Sequence, residues 1–316
     1  MLNSTFYPSF FILVGIPGLE NGHEWISTCF GIFYILALLG NRTLIVVIST
    51  SPGLHKPMFI LLSLLAANDT LLCTSFTPKM LCIYWFQARL ISFDACLLQM
   101  FCIHSFTSIE SGLLLAMAFD RYIAICQPLR YGSVMTNSLI KKLFIVFLVR
   151  AVVLVGPLPI LIKRFSAFKT NIIAHSYCEH MAVVKLAAAD ITVNSAWGLI
   201  VAFTILGVDL LFILTSYAMI FHAVFSLPSI ESRLKAFNTC TPHICVFLSL
   251  YVLAIFSFLS HRYGHGIPPY IHIILSDMYL LVPPMLNPIV YGLKTNQVRK
   301  QFWKVLDNFK YVPSFH

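Results

Sequence analysis

The sequence predicts an all-α integral membrane protein, a seven-transmembrane helix bundle, and three observations carry that expectation. The first is composition: 59% of the 316 residues are hydrophobic and 10% are charged. Mean hydropathy is +0.85, well outside the soluble globular range. The second is segmentation, because the apolar stretches leave room for about seven spans of roughly 20 to 27 residues with short links. The third is a charged pair in an apolar setting: Asp120-Arg121 closes the run Gly112-Leu-Leu-Leu-Ala-Met-Ala-Phe119. Placing charges there costs a few kcal/mol unless they pair or reach water, so they read as functional by default.

Taken in order, residues 1–24 form a polar N-terminal segment, expected outside the cell, with no basic n-region. The first span then acts as its own targeting signal, without cleavage. Asn3-Ser-Thr5 is a glycosylation sequon, whereas Asn41-Arg-Thr43 and Asn68-Asp-Thr70 match the pattern but fall inside spans. The spans of the bundle domain, residues 25–292, are expected at about 25–48, 57–86, 93–126, 138–162, 193–225, 236–262 and 269–292. Ser51-Pro-Gly-Leu-His-Lys-Pro57, Gln127-Pro-Leu-Arg-Tyr131 and Pro228 supply breaks between them. In the tail, residues 293–316, Val298, Phe302, Val305, Leu306 and Phe309 share one helical face, with Arg299, Lys300 and Lys304 elsewhere. That pattern suits a short amphipathic helix lying on the membrane surface. There is no internal repeat, low-complexity tract or second domain.

Lys and Arg placement orients the bundle. Twelve of the 21 fall on the Arg121 side, six on the other, and Arg42, Lys79 and Arg150 lie within spans. The Arg121 side is therefore expected to be cytoplasmic. The net charge of +9 then reflects topology and anionic lipid, not nucleic acid. Most of the nine cysteines lie in spans, where a buried thiol is the default reading. Cys96 and Cys178 are the two that this orientation places in an oxidising compartment.

The third span carries signals at three depths. From Cys96 to Arg121 a helix rises about 37 Å at ~1.5 Å per residue. Glu110, Leu114, Met117 and Arg121 share one stripe, which sets a carboxylate about three turns from the Arg. Asp69 lies about 18 Å beyond Pro57 in the second span, so both acids sit near the midplane. Two carboxylates in low dielectric do not both ionise cheaply without a counter-cation; the alternative is that one stays protonated.

The outer half is expected to hold a ligand. His104 lies about 12 Å below Cys96, His261 and Arg262 end the sixth span, and His180 follows Cys178 by two residues. Phe101, Leu199, Ile255, Phe258 and Leu275 supply apolar walls. An apolar slot with a few convergent cationic donors suits an amphiphile with an anionic head. Snorkelling to the interface is the alternative for Arg262, and a satisfied core histidine the alternative for His104. Asp277 would partly neutralise the site. A metal site at His175, Cys178 and His180 is a further, weaker reading.

Gly40-Asn41, Asp69, Cys96 with Cys178, Asp120-Arg121-Tyr122 and Asn287-Pro-Ile-Val-Tyr291 occur in this order across the whole chain. In these the chain resembles a rhodopsin-like G-protein-coupled receptor. Met117-Ala-Phe-Asp-Arg-Tyr-Ile-Ala-Ile-Cys126, Pro57-Met-Phe59, Ser216-Tyr217 and Lys235-Ala-Phe-Asn-Thr-Cys240 with His243 are similar to odorant-receptor motifs. Gly15-Ile-Pro-Gly-Leu19 and His175-Ser-Tyr-Cys-Glu-His180 resemble the class I, fish-like branch.

The resemblance implies a Cys96–Cys178 disulfide and a Na⁺ ion held by Asp69 and Glu110. It also implies a switch made of Asp120, Arg121, Tyr122, Tyr217, His243, Asn287, Pro288 and Tyr291, whose hydrogen bonds rearrange as the sixth helix moves outward. The implied partners are an odorant, here a carboxylic acid by the outer-half residues, and a stimulatory G protein that raises cAMP. The implied location is the plasma membrane of sensory cilia, and no cofactor besides the ion is expected. The chain departs from the pattern in three places. Phe168 and Ala188 stand where many odorant receptors carry a second loop cysteine pair. Arg42 is an unexpected charge within a span. The base of the sixth span reads Ser232-Arg-Leu-Lys235, without the acid that often restrains the switch arginine, so Asp120 and the His243 network are left to hold the resting state.

Other classes fit less well. A retinal protein needs a lysine inside the seventh span, and residues 269–292 contain none. A secondary transporter should show repeats. Among such receptors, an amine ligand would want an acid about where Ile103 stands. No nucleophile–base or metalloprotease spacing argues for an enzyme.

Overall fold

The computed structural model describes residues 6–17, 23–263 and 268–310, without the side chains of 23–24, 260–263 and 305–310. Asn3 and the side chain of Arg262 lie outside the described residues. Seven helices are long and apolar enough to cross a membrane: α1 (His23–Thr50), α2 (Pro57–Phe86) and α3 (Phe93–Cys126), α4 (Asn137–Lys163) and α5 (Thr192–Phe225), then α6 (Ile230–Tyr263) and α7 (Pro269–Lys294). A last helix, α8 (Asn296–Lys310), follows α7 directly.

Local chemistry sets the helix ends. Pro57 opens α2, where its missing N–H costs nothing, and Gln87 closes it in the left-handed region at φ 53°. Ser92 and Thr136 cap α3 and α4 by accepting from the backbone N–H of Ala95 and Leu139. Within α4, Gly156-Pro157 interrupts the helix; a Cβ on Gly156 would lie 2.5 Å from the Val152 carbonyl oxygen. Within α5, Phe203–Val208 widens into a π-helical turn. Helix α6 begins six residues before the expected 236, because Ser229 caps it by accepting from the Ser232 N–H, and the expected link becomes its first turns.

Helix α3 is the axle of the bundle: 72% of its apolar window is buried, against 22% for α5. Ile145, Val146, Val149, Val152 and Val153 of α4 face outward, as lipid requires. At Gly40, a Cβ would lie 2.6 Å from the Pro288 ring, so α1 and α7 touch at a distance only glycine permits.

The N-terminal segment is not the polar tail expected from its composition. Phe10–Leu13 forms β1, which pairs antiparallel with β2 (Leu90–Ser92) and parallel with β3 (Ile172–Ile173). This small sheet roofs the disulfide end of the bundle. Phe168, at one of the expected cysteine places, is fully buried; its ring meets those of Tyr7, Phe11, Phe93 and Phe165 edge-on. Aromatic packing holds the loop there, and the Cys96–Cys178 disulfide pins it to α3.

Candidate ligand cavity and signalling contacts

A cavity of about 440 Å³ opens below the roof. His104 and Thr107 of α3, Phe258 of α6 and Tyr279 of α7 line it, with Glu179, His180, Met181 and Lys185 from a short loop helix over His180–Val184 and its two ends. His180 is 4% exposed, and burial pushes its imidazole down to about 4. The Nε2 atoms of His104 and His180 are both buried without a hydrogen-bond partner.

Phe101, Leu199 and Ile255 do not line the cavity, and neither does Leu275. On α5, α6 and α7 the wall is taken one residue away by Gly198, Ala254 and Ser276. The reason is helical phase: adjacent positions on a helix do not face the same way, so the residue beside each turns toward neighbours or lipid. Phe101 is partly buried and packs instead against the apolar cluster that includes Met100 and Ile103. Asp277 is fully buried and accepts a hydrogen bond from the Ser176 hydroxyl, tying α7 to the loop. The weaker metal reading at His175, Cys178 and His180 is overturned, since Cys178 is disulfide-bonded. Among the described residues, no group of three or more His, Cys, Asp or Glu is placed to hold a metal ion.

Midway along the bundle, Asn287 donates to Asp69 Oδ2 at 2.7 Å. Asn41 donates to the Ala37 and Pro284 carbonyls, both at 2.9 Å. That leaves Asp69 Oδ1, both Glu110 oxygens and the amide oxygens of Asn41 and Asn287 buried without partners. Orphaned oxygens in such a cluster are costly.

One step toward the cavity, Arg150 Nη1 of α4 donates to both carboxylate oxygens of Asp209 at 2.8 Å. Ser111 donates to Asp209 Oδ2 at 2.5 Å and lies 2.7 Å from Tyr251 Oη. Because the Ser111 proton goes to the carboxylate, Tyr251 supplies the proton in the second bond. Four helices, α3 to α6, therefore meet on one buried ion pair. In the sequence Arg150 stands out as a charge within a span, while Asp209 is a second such charge that its apolar surroundings conceal. Two opposite charges in apolar runs were the available signal.

At the other end, Arg121 pairs with Asp120 at 2.7 Å, and Tyr131 donates to the second oxygen of Asp120, also at 2.7 Å. Burial and the Asp120 bond push the Tyr131 phenol up. His243 Nε2 lies 3.0 Å from the Leu114 carbonyl and Nδ1 lies 2.7 Å from Tyr217 Oη. A carbonyl only accepts, so Nε2 carries the proton and Nδ1 accepts from Tyr217. His243 thus ties α6 to α3 and α5 together. Tyr291 Oη is buried without a partner, and Pro288 packs on Gly40. Tyr122 stands apart from this group, accepting only a long bond of 3.4 Å from Gln127.

Seven helices long and apolar enough to cross a membrane, a ligand-sized cavity at one end and a buried, tethered arginine at the other are the architecture of a multi-pass membrane receptor. Residues 30–308 match the olfactory receptor family. Human olfactory receptor 52A5 is 55% identical over 303 residues, 96% of this chain and 96% of that protein. Human olfactory receptor 52A1 is 54% identical over 299 residues, 94% of this chain and 96% of that protein. Human olfactory receptor 52N4 is 48% identical over 316 residues, 99% and 98%. The chain belongs to the olfactory receptor family of rhodopsin-like G-protein-coupled receptors, and the class I reading is consistent with these relatives. It is an odorant receptor, with an odorant and a G protein as its partners.

Proposed function

We propose that this receptor takes a small carboxylic acid into the cavity from outside the cell and activates a stimulatory G protein at its Arg121 end, raising cAMP in sensory cilia. The observation that carries the ligand class is the pair of buried Nε2 atoms, on His104 and His180, that lack partners beside the cavity. A carboxylate or carbonyl oxygen placed between two N–H tautomers would relieve both. Ile205, Leu206, Val201 and Phe258 leave apolar wall for an alkyl chain. Arg262, at the end of α6, is the further candidate for the head group.

In this reading the ligand favours an arrangement in which α6 leaves α3, breaking the His243–Leu114 tether, and the G protein enters the space opened. Arg121, freed from Asp120, then finds new partners in Tyr217 and Tyr291, while Tyr122, Asn287 and Pro288 complete the moving set. The orphaned oxygens of Asp69, Glu110, Asn41 and Asn287 fit a hydrated Na⁺, a hard cation that would offset the two carboxylates. With the ion in place, Asn287 would keep α7 bonded to α2 and hold the resting arrangement.

The test is a cAMP assay on surface-expressed receptor against matched series of acids, alcohols and amines. Acids should be the most potent, with potency rising with chain length by about 0.8 kcal/mol per buried methylene until the slot is full. A best response to amines would overturn the ligand class.

A further inference from the structure

We propose that Lys185 is a specificity-determining residue of the cavity: the rim cation that meets the carboxylate of an acid and keeps the site from accepting amines. The inference rests on the acid reading above and assigns a residue to it.

Among the described residues that line the cavity, Lys185 is the only Lys or Arg. One short helix delivers it: His180–Val184 begins at its cap Glu179 and ends at Lys185, and Glu179, His180, Met181 and Lys185 all face the same space. Glu179 Oε2 accepts from the Ala182 N–H, which fixes the acid at the start of that helix. The helix is itself held in place, since its Lys169 and Ala188 neighbours bond back to Leu186 and Ala167 across the loop.

Charge decides what this arrangement selects. Among the described lining residues other than Lys185, the groups that can carry charge near neutral pH are one carboxylate, Glu179, and two buried imidazoles, of which His180 is held neutral by burial. Such a cavity repels a carboxylate and attracts an ammonium. Lys185 reverses that preference. Lys185 is exposed and lines the cavity, which places its ammonium where it can reach water at the rim, and no described acid pairs with it. An acid would therefore sit with its head toward the loop helix and its alkyl chain toward Ile205 and Leu206 on α5. Because the ammonium is at the rim, it also raises the local concentration of anions at the entrance, and this part of its effect is weakened by salt.

The experiment uses purified full-length receptor, with thermal stabilisation as the binding readout, so it does not depend on the G protein. The probes are straight-chain monocarboxylic acids with their matched alcohols and primary amines. Lys185→Gln should lower acid affinity about tenfold and leave the alcohols nearly unchanged, Lys185→Arg should retain most of the acid affinity, and Lys185→Glu should shift the preference toward the amine. Surface expression of all three should match wild type, because the side chain is exposed. Acid binding by wild type with the same acid-to-alcohol ratio in Lys185→Gln overturns this inference alone. Failure of every acid to stabilise wild type overturns it together with the acid reading.

Discussion

Arg150 of α4 holds both carboxylate oxygens of Asp209 of α5 at 2.8 Å, in the middle of two lipid-facing helices. The pair is well covered, with the side chains 19% and 4% exposed. Its position also matters: Asp209 follows the π-turn of Phe203–Val208, and Ile205 and Leu206 of that turn line the cavity. Removing one partner leaves the other charge buried and unpaired, which typically costs about 3–5 kcal/mol. Arg150→Met and Asp209→Leu should each lower the melting temperature and surface expression strongly. The double variant should recover much of the loss, because it leaves no bare charge. A double variant less stable than either single one would show that the ion pair itself, and not merely its neutralisation, sustains the fold.

The crossing of α3 and α4 beside this pair admits no side chain at Gly112. A Cβ there would lie 2.7 Å from two carbons of the Phe147 ring, and Arg150 stacks over the same ring at 5.6 Å. Gly112→Ala should therefore cost about 1–3 kcal/mol through overpacking. Adding Phe147→Leu should restore part of it. If Gly112→Ala melts like wild type, the close approach of the two helices is wrong.

How much of this was legible in the sequence depends on the length scale of the signal. Long apolar runs reported the seven spans, and the motif residues Asp69, Asp120, Arg121, His243 and Asn287 fell where their helices were expected to place them. Phe10–Leu13 was not read as a strand, because its partners are segments of three and two residues inside separate loops. Periodicity cannot identify strands that short. The π-turn in α5 leaves no compositional trace. On three helices the cavity wall falls one residue from the position hydrophobicity suggests: Leu199, Ile255 and Leu275 advertise an apolar face, whereas the exact rotation of each helix, which decides what faces the cavity, is not written in composition. The Arg150–Asp209 pair was visible as two stray charges, but pairing them required the phase of two helices 59 residues apart.

The loop histidine gives the receptor a pH dependence. Burial lowers His180 from an ordinary 6.5 to about 4, with Glu179 opposing the shift and His104 adding to it. Between those values the unfolded chain binds a proton that the folded chain does not, so stability falls as pH falls through the window. The stabilisation is fully present above about 6.5, and its loss by pH 4 amounts to about 3 kcal/mol at most. Melting temperature measured from about pH 7.5 to 5 should decline, and His180→Asn should flatten the slope. An unchanged slope in His180→Asn would assign the effect elsewhere.

The midplane acids should respond to sodium. If Asp69 and Glu110 share a hydrated ion, replacing Na⁺ with a bulky organic cation should lower the melting temperature of wild type. Glu110→Gln and Asp69→Asn remove one carboxylate each and should lose most of that difference. Indifference of wild type to the cation would mean that the oxygens are satisfied by protonation.

The switch at the other end makes an ordered prediction. Asp120 accepts from Arg121 through one oxygen and from Tyr131 through the other, so Tyr131 positions the acid that restrains the arginine. Charge-assisted bonds of this kind contribute about 1.5–3 kcal/mol when buried. Tyr131→Phe removes only the positioning bond and should raise ligand-free cAMP modestly. Asp120→Asn removes the charge that Arg121 pairs with and should raise it further. His243→Leu removes a different restraint, the tie from α6 to the Leu114 carbonyl, and should also increase basal signalling. Arg121→Ala should abolish the ligand-evoked signal while the receptor still reaches the surface, if the guanidinium finds its new partners in the active state as proposed. Each value must be divided by surface receptor, since a poorly folded variant would mimic a silent one. Basal cAMP in Asp120→Asn below that of wild type, at equal surface density, would mean that Asp120 supports signalling and does not restrain it.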